Sequence, residues 1–406
     1  MNVDQLVRDS LREQAAEQPS VGPGFADRVL AVRRRRRRRT RTLGSVAAAA
    51  AAVVAVAVAV PLVSGRDDVR PASVLDGTGL SAHPDQSPPR DLIAAGDVAL
   101  GAYYTAKSVP QTKDRAVYTR TYWLLDPRSG RYEKNSKWSF VAVAPGLRTA
   151  AVLENDLPTR RIGLLDLTTG RIERWIPVDH GVGGLAFSRD GSRLVATTYD
   201  ENPDLRDKVH GTSGTDWMAR YGGSSRSGFL VVDVASGKGT WSGVAPGRST
   251  GAREDFAFSR DGRLVYSRVV VAGGRDGMQQ FYDLEGAKVP APANELYLRA
   301  DVGARLSPDG GLAASGLTRE KPDKSYSALL DPRTGKRITL VRGAELLAWV
   351  DDKRLIAWER LPGGTLYRPQ LVLVTIGSDK VVPLSGGPAL NSDPTRLSWE
   401  PVFAER

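Results

Sequence analysis

The feature of this sequence that most constrains its fold is a short turn motif that recurs between apolar stretches. The motif is Ser-x-Asp-Gly, and its full copies lie at 188–191, 259–262 and 307–310, with degenerate copies at 141–146 and 347–355. An Asp-Gly pair supplies the side-chain cap and the positive φ angle that a tight hairpin needs. Each copy therefore predicts a turn between two antiparallel strands.

A second motif, Asp-x-x-Ser/Thr-Gly after two or three apolar residues, alternates with the first. Its full copies lie at 126–130, 166–170, 233–237 and 331–335, and shortened or degenerate forms lie at 283–286 and 374–378. The aspartate opens a turn and the glycine closes it, so each copy predicts a second hairpin in the same unit. Two hairpins per unit predict four-stranded antiparallel sheets that repeat every ~42 to 70 residues.

The repeats predict an all-β fold, a six-bladed β-propeller of four-stranded antiparallel blades, with seven blades as the alternative count. We expect the strand-like segment 397–403 to close the ring by pairing with the first blade, whose own first strand is poorly marked. Two stacked β-sandwiches are the competing interpretation, but they do not explain two alternating turn motifs. The predicted blades are 91–137, 138–183, 184–252, 253–302, 303–344 and 345–394.

The two alternating motifs resemble those of TolB-type, WD-repeat-like β-propellers, and the resemblance covers residues 91–406. The Gly-His and Trp-Asp dipeptides of strict WD repeats are missing. The resemblance implies a domain that binds a protein, peptide or glycan at the mouth of its ring. Because the shared residues are turn and packing residues, it carries over no catalytic position.

The N-terminal region contains seven consecutive arginines at 33–39, and an apolar run follows at 43–63. A helix of about 21 residues is about 31 Å long, which matches the ~30 Å hydrocarbon core of a bilayer. We therefore predict one transmembrane helix at 43–63. The arginine-rich flank predicts a cytoplasmic N-terminus, a location in the cell membrane and an extracytoplasmic C-terminal domain. A cleaved signal peptide and a twin-arginine export signal are the alternatives, since the small residues at 55–59 offer cleavage sites.

The charge distribution limits the role of nucleic acid. Residues 1–42 carry 11 arginines and five acidic residues, so +6 of the net charge of +11 belongs to this leader and +5 to the rest of the chain. This balance predicts no nucleic-acid surface on the large domain, and a nucleic-acid arm remains an alternative for the arginine run alone. The chain has no cysteine, which excludes disulfides, thiolate metal sites and a cysteine nucleophile.

The cytoplasmic leader, 1–42, has one narrow apolar stripe. Val3, Leu6, Val7 and Leu11 recur at helical spacing and predict an amphipathic helix. This helix is a candidate for binding the groove of a cytosolic protein, and a leader without a partner is the alternative.

Residues 64–90 are rich in proline and glycine and predict an extracytoplasmic linker, so that the propeller begins at 91. The whole layout resembles membrane-anchored actinobacterial proteins, some of which regulate extracytoplasmic-function sigma factors. The leader lacks the His-x-x-x-Cys-x-x-Cys zinc signature of many such regulators.

The longest insertion between the repeats, 200–228, is the candidate ligand-binding loop. Long loops on propellers often carry binding residues, and aromatic and arginine side chains among glycines favour a glycan or peptide platform. A solvated loop without a ligand is the alternative. The acidic residues of the insertion do not match a calcium-loop template. The candidate residues are His210, Trp217, Arg220, Tyr221 and Arg226.

We predict no catalytic, cofactor or metal site. The segment 211–215 does not match the nucleophile elbow, and no residues remain to build an α/β-hydrolase domain. The predicted function is that of a binding or sensing module that regulates a cytosolic partner, such as a sigma factor, through its leader. A tethered cell-envelope scaffold or a glycan- or peptide-binding protein without signalling is the alternative, and a propeller hydrolase or lyase is the third hypothesis.

Overall fold

The structure is a computed structural model that describes residues 77–211, 214–219, 224–244, 253–269, 277–321, 323–360, 370–387 and 399–406. These residues form β-strands, turns and bends, and no helix among them could cross a membrane. The leader helix and the transmembrane helix predicted at 43–63 lie outside the described residues and stay predictions.

The described chain consists of short strands that follow one another with few long gaps. In order they are β1 (Ala94–Ala95), β2 (Val98–Pro110), β3 (Arg115–Asp126), β4 (Arg131–Asn135), β5 (Trp138–Val143), β6 (Thr149–Glu154), β7 (Thr159–Asp166), β8 (Arg171–Phe187), β9 (Arg193–Tyr199), β10 (Leu205–Gly211), β11 (Gly214–Ala219), β12 (Arg226–Asp233), β13 (Gly239–Gly243), β14 (Ala257–Phe258), β15 (Val265–Arg268), β16 (Gln279–Tyr282), β17 (Lys288–Val289), β18 (Ala313–Lys321), β19 (Lys324–Leu330), β20 (Arg337–Arg342), β21 (Glu345–Trp349), β22 (Arg354–Glu359), β23 (Gln370–Thr375), β24 (Val381–Pro383) and β25 (Glu400–Glu405). The strands pair antiparallel, so the predicted all-β class is confirmed.

Most strands pair with their neighbours in sequence. The sheets β14–β17 and β21–β24 each run in chain order, and β18–β20 forms a three-stranded sheet. The sheet from β5 to β13 has seven strands because β8 serves two groups, pairing first with β7 and then with β9. The boundary predicted between 183 and 184 therefore falls inside a strand. No Asp-Gly turn lies there; β8 continues through Gly181, Gly183 and Gly184, and its register with β9 shifts between Val182 and Gly184.

The C-terminal strand β25 pairs with β2 near the start of the domain. The register runs from Val98 opposite Glu405 to Tyr104 opposite Glu400. The predicted pairing of the C-terminal segment with the first unit is thereby confirmed. This pairing covers an edge of β2 that would otherwise expose unpaired backbone groups.

The Ser-x-Asp-Gly turns have the structure that the sequence predicts, and we call them the inner turns. In the turn at 188–193 the Ser188 hydroxyl donates to Asp190 Oδ1 at 2.6 Å and accepts from the Arg193 backbone N–H at 2.9 Å. Gly191 has a φ of 71°. The same pattern recurs in the turns at 259–264 and 307–312. Each serine hydroxyl therefore links the aspartate of its turn to the backbone N–H of the residue five positions after the serine.

The Asp-x-x-Ser/Thr-Gly turns join the third and fourth strands of a unit, and we call them the outer turns. Asp166 Oδ1 accepts from the Thr168 backbone N–H at 2.6 Å, and Oδ2 accepts from the Thr169 hydroxyl at 3.0 Å. The outer turn at 233–237 contacts the preceding unit, because Arg174 donates to the carbonyl oxygens of Ala235 at 3.0 Å and of Val234.

The inner turns meet one another at one end of the innermost strands. Arg193 donates to Gly262 O at 2.7 Å in the next inner turn, and the Asp309 backbone N–H donates to Asp352 Oδ1 at 2.8 Å in a later one. Glu405, at the end of β25, pairs with the inner-turn residue Arg189 at 3.2 Å. We call this the turn end, and the opposite end of the same strands the connection end.

Residues from the second half of the predicted linker contact the sheets. Ser81 forms a backbone bridge with Ala94, and His83 forms one with Ser385. The buried Gln86 side chain accepts from the backbone of Arg90 at 2.7 Å. Backbone contacts with the sheets thus begin about ten residues before position 91. Residues 81–86 supply backbone partners to the first unit, at Ala94, and to the last unit, at Ser385. The predicted domain boundaries, including the one at 91, stay predictions.

Candidate functional site

The connection end carries a small sheet formed by two hairpins from separate parts of the chain. Beyond Tyr104, β2 and β3 continue as a long hairpin, and β10 pairs with β3 from Leu205 opposite Val117 to Asp207 opposite Arg115. β11 then pairs with β10. We call this the bridging sheet: residues 105–110 and 115–121 together with β10 and β11.

The insertion predicted as a binding loop is therefore partly a β-hairpin. From Leu205 to His210, apolar or acidic residues alternate with basic ones, and this period of two is the signal for a strand. The alternation places Arg206, Lys208 and His210 on one face and Asp207 on the other.

The basic face of the bridging sheet interleaves cations with aromatic rings. The Arg206 guanidinium lies 4.7 Å from the centroid of the Tyr118 ring, and the Lys208 ammonium lies 5.8 Å from that of Trp217. Among the described residues, neither cation forms a salt bridge. Each is thus held by a ring quadrupole while its charge remains available.

The predicted ligand residues fall into three groups. His210 is exposed and its Nδ1 lies 3.1 Å from the Thr215 hydroxyl on β11, the strand that also carries the half-buried Trp217. Arg220 and Tyr221 lie outside the described residues. The assignment of these residues to ligand contact stays a prediction. The assignment of Val3, Leu6, Val7 and Leu11 to a partner-binding helix also stays a prediction, because these residues lie outside the described residues too.

Arg226 lies apart from the hairpin, at the start of β12. Its side chain is 2% exposed, and Nη1 lies 3.6 Å from Glu254 Oε2 and donates to Glu254 O at 3.2 Å. The guanidinium also lies 4.3 Å from the centroid of Phe256. The positive charge of Arg226 therefore faces Glu254 in the interior, where the two residues join neighbouring units.

Below the bridging sheet lies an ionic cluster centred on Asp204. Arg120 Nη1 and Nη2 contact its two carboxylate oxygens at 2.6 and 3.0 Å, and Arg253 makes a second two-bond contact at 2.7 and 3.0 Å. Asp204 thus joins the β2–β3 hairpin to the segment before β14. Such planar two-bond pairs fix geometry as well as charge.

The cluster extends through Arg253 to a second carboxylate. Arg253 Nη1 donates to Asp255 Oδ2 at 2.8 Å, and the buried Tyr199 hydroxyl donates to Asp255 Oδ1 at 2.8 Å. Burial opposes ionisation of Asp204, but the guanidinium groups of Arg253 and Arg120 outweigh it and lower the pKa of its carboxyl. Asp204 is therefore ionised at neutral pH, and the two guanidinium groups compensate its charge.

A cavity of about 550 Å³ borders this cluster, with Tyr104, Arg120 and Arg253 in its wall. These side chains can bind and orient a ligand; Ser188, also in the wall, is the inner-turn serine whose hydroxyl donates to Asp190. Across the described residues, no group of three or more histidine and carboxylate side chains has metal-binding geometry.

Sequence patterns do not reveal this cluster. Arg120 and Arg253 stand 84 and 49 positions from Asp204, and no short motif marks any of the three. The sequence offers only a weak signal for the cluster. Asp204 stands just before β10 and breaks the alternation of basic with apolar or acidic residues that runs along that strand.

Neither a protein-family model nor a curated protein sequence matches the chain. Among solved structures it is similar to hydrazine synthase of Kuenenia stuttgartiensis, with 11% identity and a TM-score of 0.35 over 68% of this chain and 77% of that chain. It is also similar to the Cps50 (Swd1) beta-propeller domain of Myceliophteria thermophila, with 11% identity and a TM-score of 0.31 over 71% of this chain and 100% of that chain. A third similar structure is Hsv2 of Kluyvelomyces marxianus, with 12% identity and a TM-score of 0.32 over 73% of this chain and 97% of that chain. Likenesses this distant assign neither a function nor a partner.

Proposed function

We propose that this chain is a six-bladed β-propeller that serves as a non-catalytic binding module for a protein partner. The bridging sheet is the proposed contact surface and the observation that carries the proposal. It stands out from an otherwise repetitive structure, because two distant hairpins must pair to build it.

Support for six blades comes from the grouping of the strands. Five groups have four named strands or strand halves, and in the remaining group residues 304–306 act as the innermost strand, since Leu306 bridges Ala313 and Ala314 donates to Arg305 O at 2.7 Å. The groups are β25 with β2–β4, β5–β7 with the first half of β8, the second half of β8 with β9, β12 and β13, then β14–β17, 304–306 with β18–β20, and β21–β24.

Support for a protein partner comes from the chemistry of the basic face. Aromatic rings and cations on a β-sheet provide contact area and charge complementarity to a partner surface that carries carboxylates. Met218, which is 38% exposed, adds apolar area on the opposite face of the same strand.

The test compares two lysine-to-glutamate variants of the full chain. Lys208→Glu reverses a charge on the bridging sheet, whereas Lys353→Glu makes the same change at an exposed inner turn. A partner crosslinked to the wild type in its native membranes should remain with Lys353→Glu and bind about tenfold less to Lys208→Glu. Equal retention by both variants would falsify this contact surface.

We also propose that residues 43–63 anchor the module in the cell membrane with the propeller outside, on the strength of the apolar run and its arginine flank. The full chain should resist alkaline extraction from membranes. A soluble form that begins near residue 60 would instead indicate cleavage.

Regulation of a cytosolic partner, such as a sigma factor, rests on the leader helix alone. A leader peptide covering 1–32 should then capture one specific cytosolic protein. Capture of none would favour the scaffold or binding protein without signalling.

A further inference from the structure

A second cavity, of about 340 Å³, lies between the innermost strands toward the turn end and shares Phe187, Arg189 and Phe403 with the first cavity. Its size is within the range of small-ligand pockets. The larger apolar side chains of its wall include those of Phe187, Phe258, Leu298, Leu306, Trp349 and Phe403.

Three arginines and two glutamates also line the cavity, and only two of the three arginines form ion pairs with these glutamates. Arg305 pairs with the buried Glu295 at 2.6 Å, and Arg189 pairs with Glu405 at 3.2 Å. Both glutamates are thus engaged by these two arginines.

Arg260 differs from the other two arginines. Its guanidinium donates to the carbonyl oxygens of Ser307, at 2.6 Å, and Pro308, and within the described residues it forms no salt bridge. Its backbone N–H donates to Glu295 Oε1 at 2.9 Å. Burial, and then the nearby Arg189, lower the pKa of Arg260, whereas the carboxylates of Glu295, Asp309 and Glu405 act in the opposite direction.

We propose that this cavity binds a small amphipathic anion, with the anionic group at Arg260 and Arg189 and the apolar group against Phe187, Phe258 and Phe403. A guanidinium with unused N–H donors forms strong charge-assisted hydrogen bonds with a carboxylate, sulfonate or phosphate. The aromatic wall supplies the apolar contact that a bare inorganic anion would not use. This site goes beyond the proposed function, which concerns the connection end.

The test uses naphthalene-2-sulfonate as the anionic probe and naphthalene-2-sulfonamide as its neutral analogue, titrated calorimetrically into the full chain in detergent micelles. The sulfonate should bind saturably and at least about tenfold more tightly than the sulfonamide. Arg260→Gln should weaken sulfonate binding by about tenfold and leave sulfonamide binding unchanged.

Two further variants separate binding in the cavity from the effect of charge in general and from binding elsewhere on the chain. Arg263→Gln removes the same charge from the same inner turn, but its side chain is 86% exposed and does not line the cavity, so its affinity should stay within about twofold. Ala348→Phe fills the cavity without removing a charge and should abolish binding of both probes. Equal affinity for the two probes, equal losses in the two arginine variants, or the absence of saturable sulfonate binding would overturn the proposal.

Discussion

The two ends of the innermost strands are built by different means. At the turn end, each inner turn is stabilised by side chains within five positions of one another, as in the contacts of Ser188 with Asp190 and Arg193. At the connection end, the bridging sheet depends on Asp204 and its contact with Arg120, 84 positions earlier. The local contacts of the inner turns can repeat from unit to unit. A carboxylate shared by two distant guanidinium groups occurs once among the described residues and distinguishes this chain from a plain repeat.

The difference also concerns charge. Inner-turn aspartates are largely open to solvent and receive hydrogen bonds from hydroxyls and backbone N–H groups. Asp204 is 3% exposed and is compensated by two guanidinium groups. Loss of one partner should therefore cost little at the turn end and much at the connection end.

The largest effect is expected from Asp204→Asn. The change leaves the guanidinium groups of Arg120 and Arg253 facing each other in a buried site without their shared carboxylate. We expect the free energy of unfolding to fall by about 3–5 kcal/mol, measured by urea denaturation of the full chain. Amide hydrogen exchange should accelerate in β10 and β11 more than in the inner turns.

The matched control is Asp379→Asn, which breaks the ion pair with Lys324 at 3.0 Å, where the side chains are 61% and 36% exposed. This change should cost less than about 1 kcal/mol. If both substitutions cost the same, burial of the Asp204 cluster does not determine its contribution to stability.

An intermediate effect is expected at the glycine of an inner turn. Gly310 has a φ of 75° and open space where an alanine methyl group would lie, so Gly310→Ala adds only the backbone cost of the left-handed conformation, about 1–2 kcal/mol. Gly316→Ala also meets open space but lies outside the left-handed region, and it should be neutral or slightly stabilising. Denaturation midpoints of the two variants decide the point. Similar midpoints would show that the turn end does not depend on its glycines.

This division explains how much the sequence can predict. The inner and outer turns, the all-β class and the closing contact of β25 with β2 follow from short motifs and from an unpaired strand at the C-terminus. The surrounding glycines favour a loop where the structure has the hairpin of β10 and β11, although the period-two alternation of a strand is present. The pairing of β10 with β3 cannot be derived, since it depends on which distant hairpin lies nearby in space.

The candidate site is predicted only in part for the same reason. Trp217 and His210 stand out by residue type, and the structure places both on one hairpin. Arg226 stands out equally by residue type, yet it is buried against Glu254. Residue type alone does not distinguish a surface arginine from one that joins two units, so the sequence could not predict this burial.

A smaller effect concerns acid stability at the turn end. Hydrogen bonds from Ser188, first, and from Ser192 lower the pKa of Asp190 from 3.8 to about 2. A lowered folded-state pKa contributes stability that is complete above pH ~4 and is lost as the pH falls through ~2. Asp190→Asn should therefore reduce the slope of unfolding free energy against pH between these values, as followed by urea titrations at each pH. Ser188→Ala should reduce it in the same direction. An unchanged slope in both variants would contradict the role of the hydroxyl cap.

The smallest effect on stability is expected from Trp217→Ala, on the outer strand of the bridging sheet. The ring is half-buried and packs against the Lys208 ammonium rather than against the Asp204 cluster. We expect a loss below about 1 kcal/mol in urea denaturation, with hydrogen exchange at the Asp204 cluster unchanged. The connection end would then consist of the buried Asp204 cluster, which determines stability, and an outer face whose residues can change without unfolding that cluster. A loss comparable with that of Asp204→Asn would mean that the outer face also contributes to the stability of the connection end. Its aromatic residues would then serve folding rather than contact with a partner.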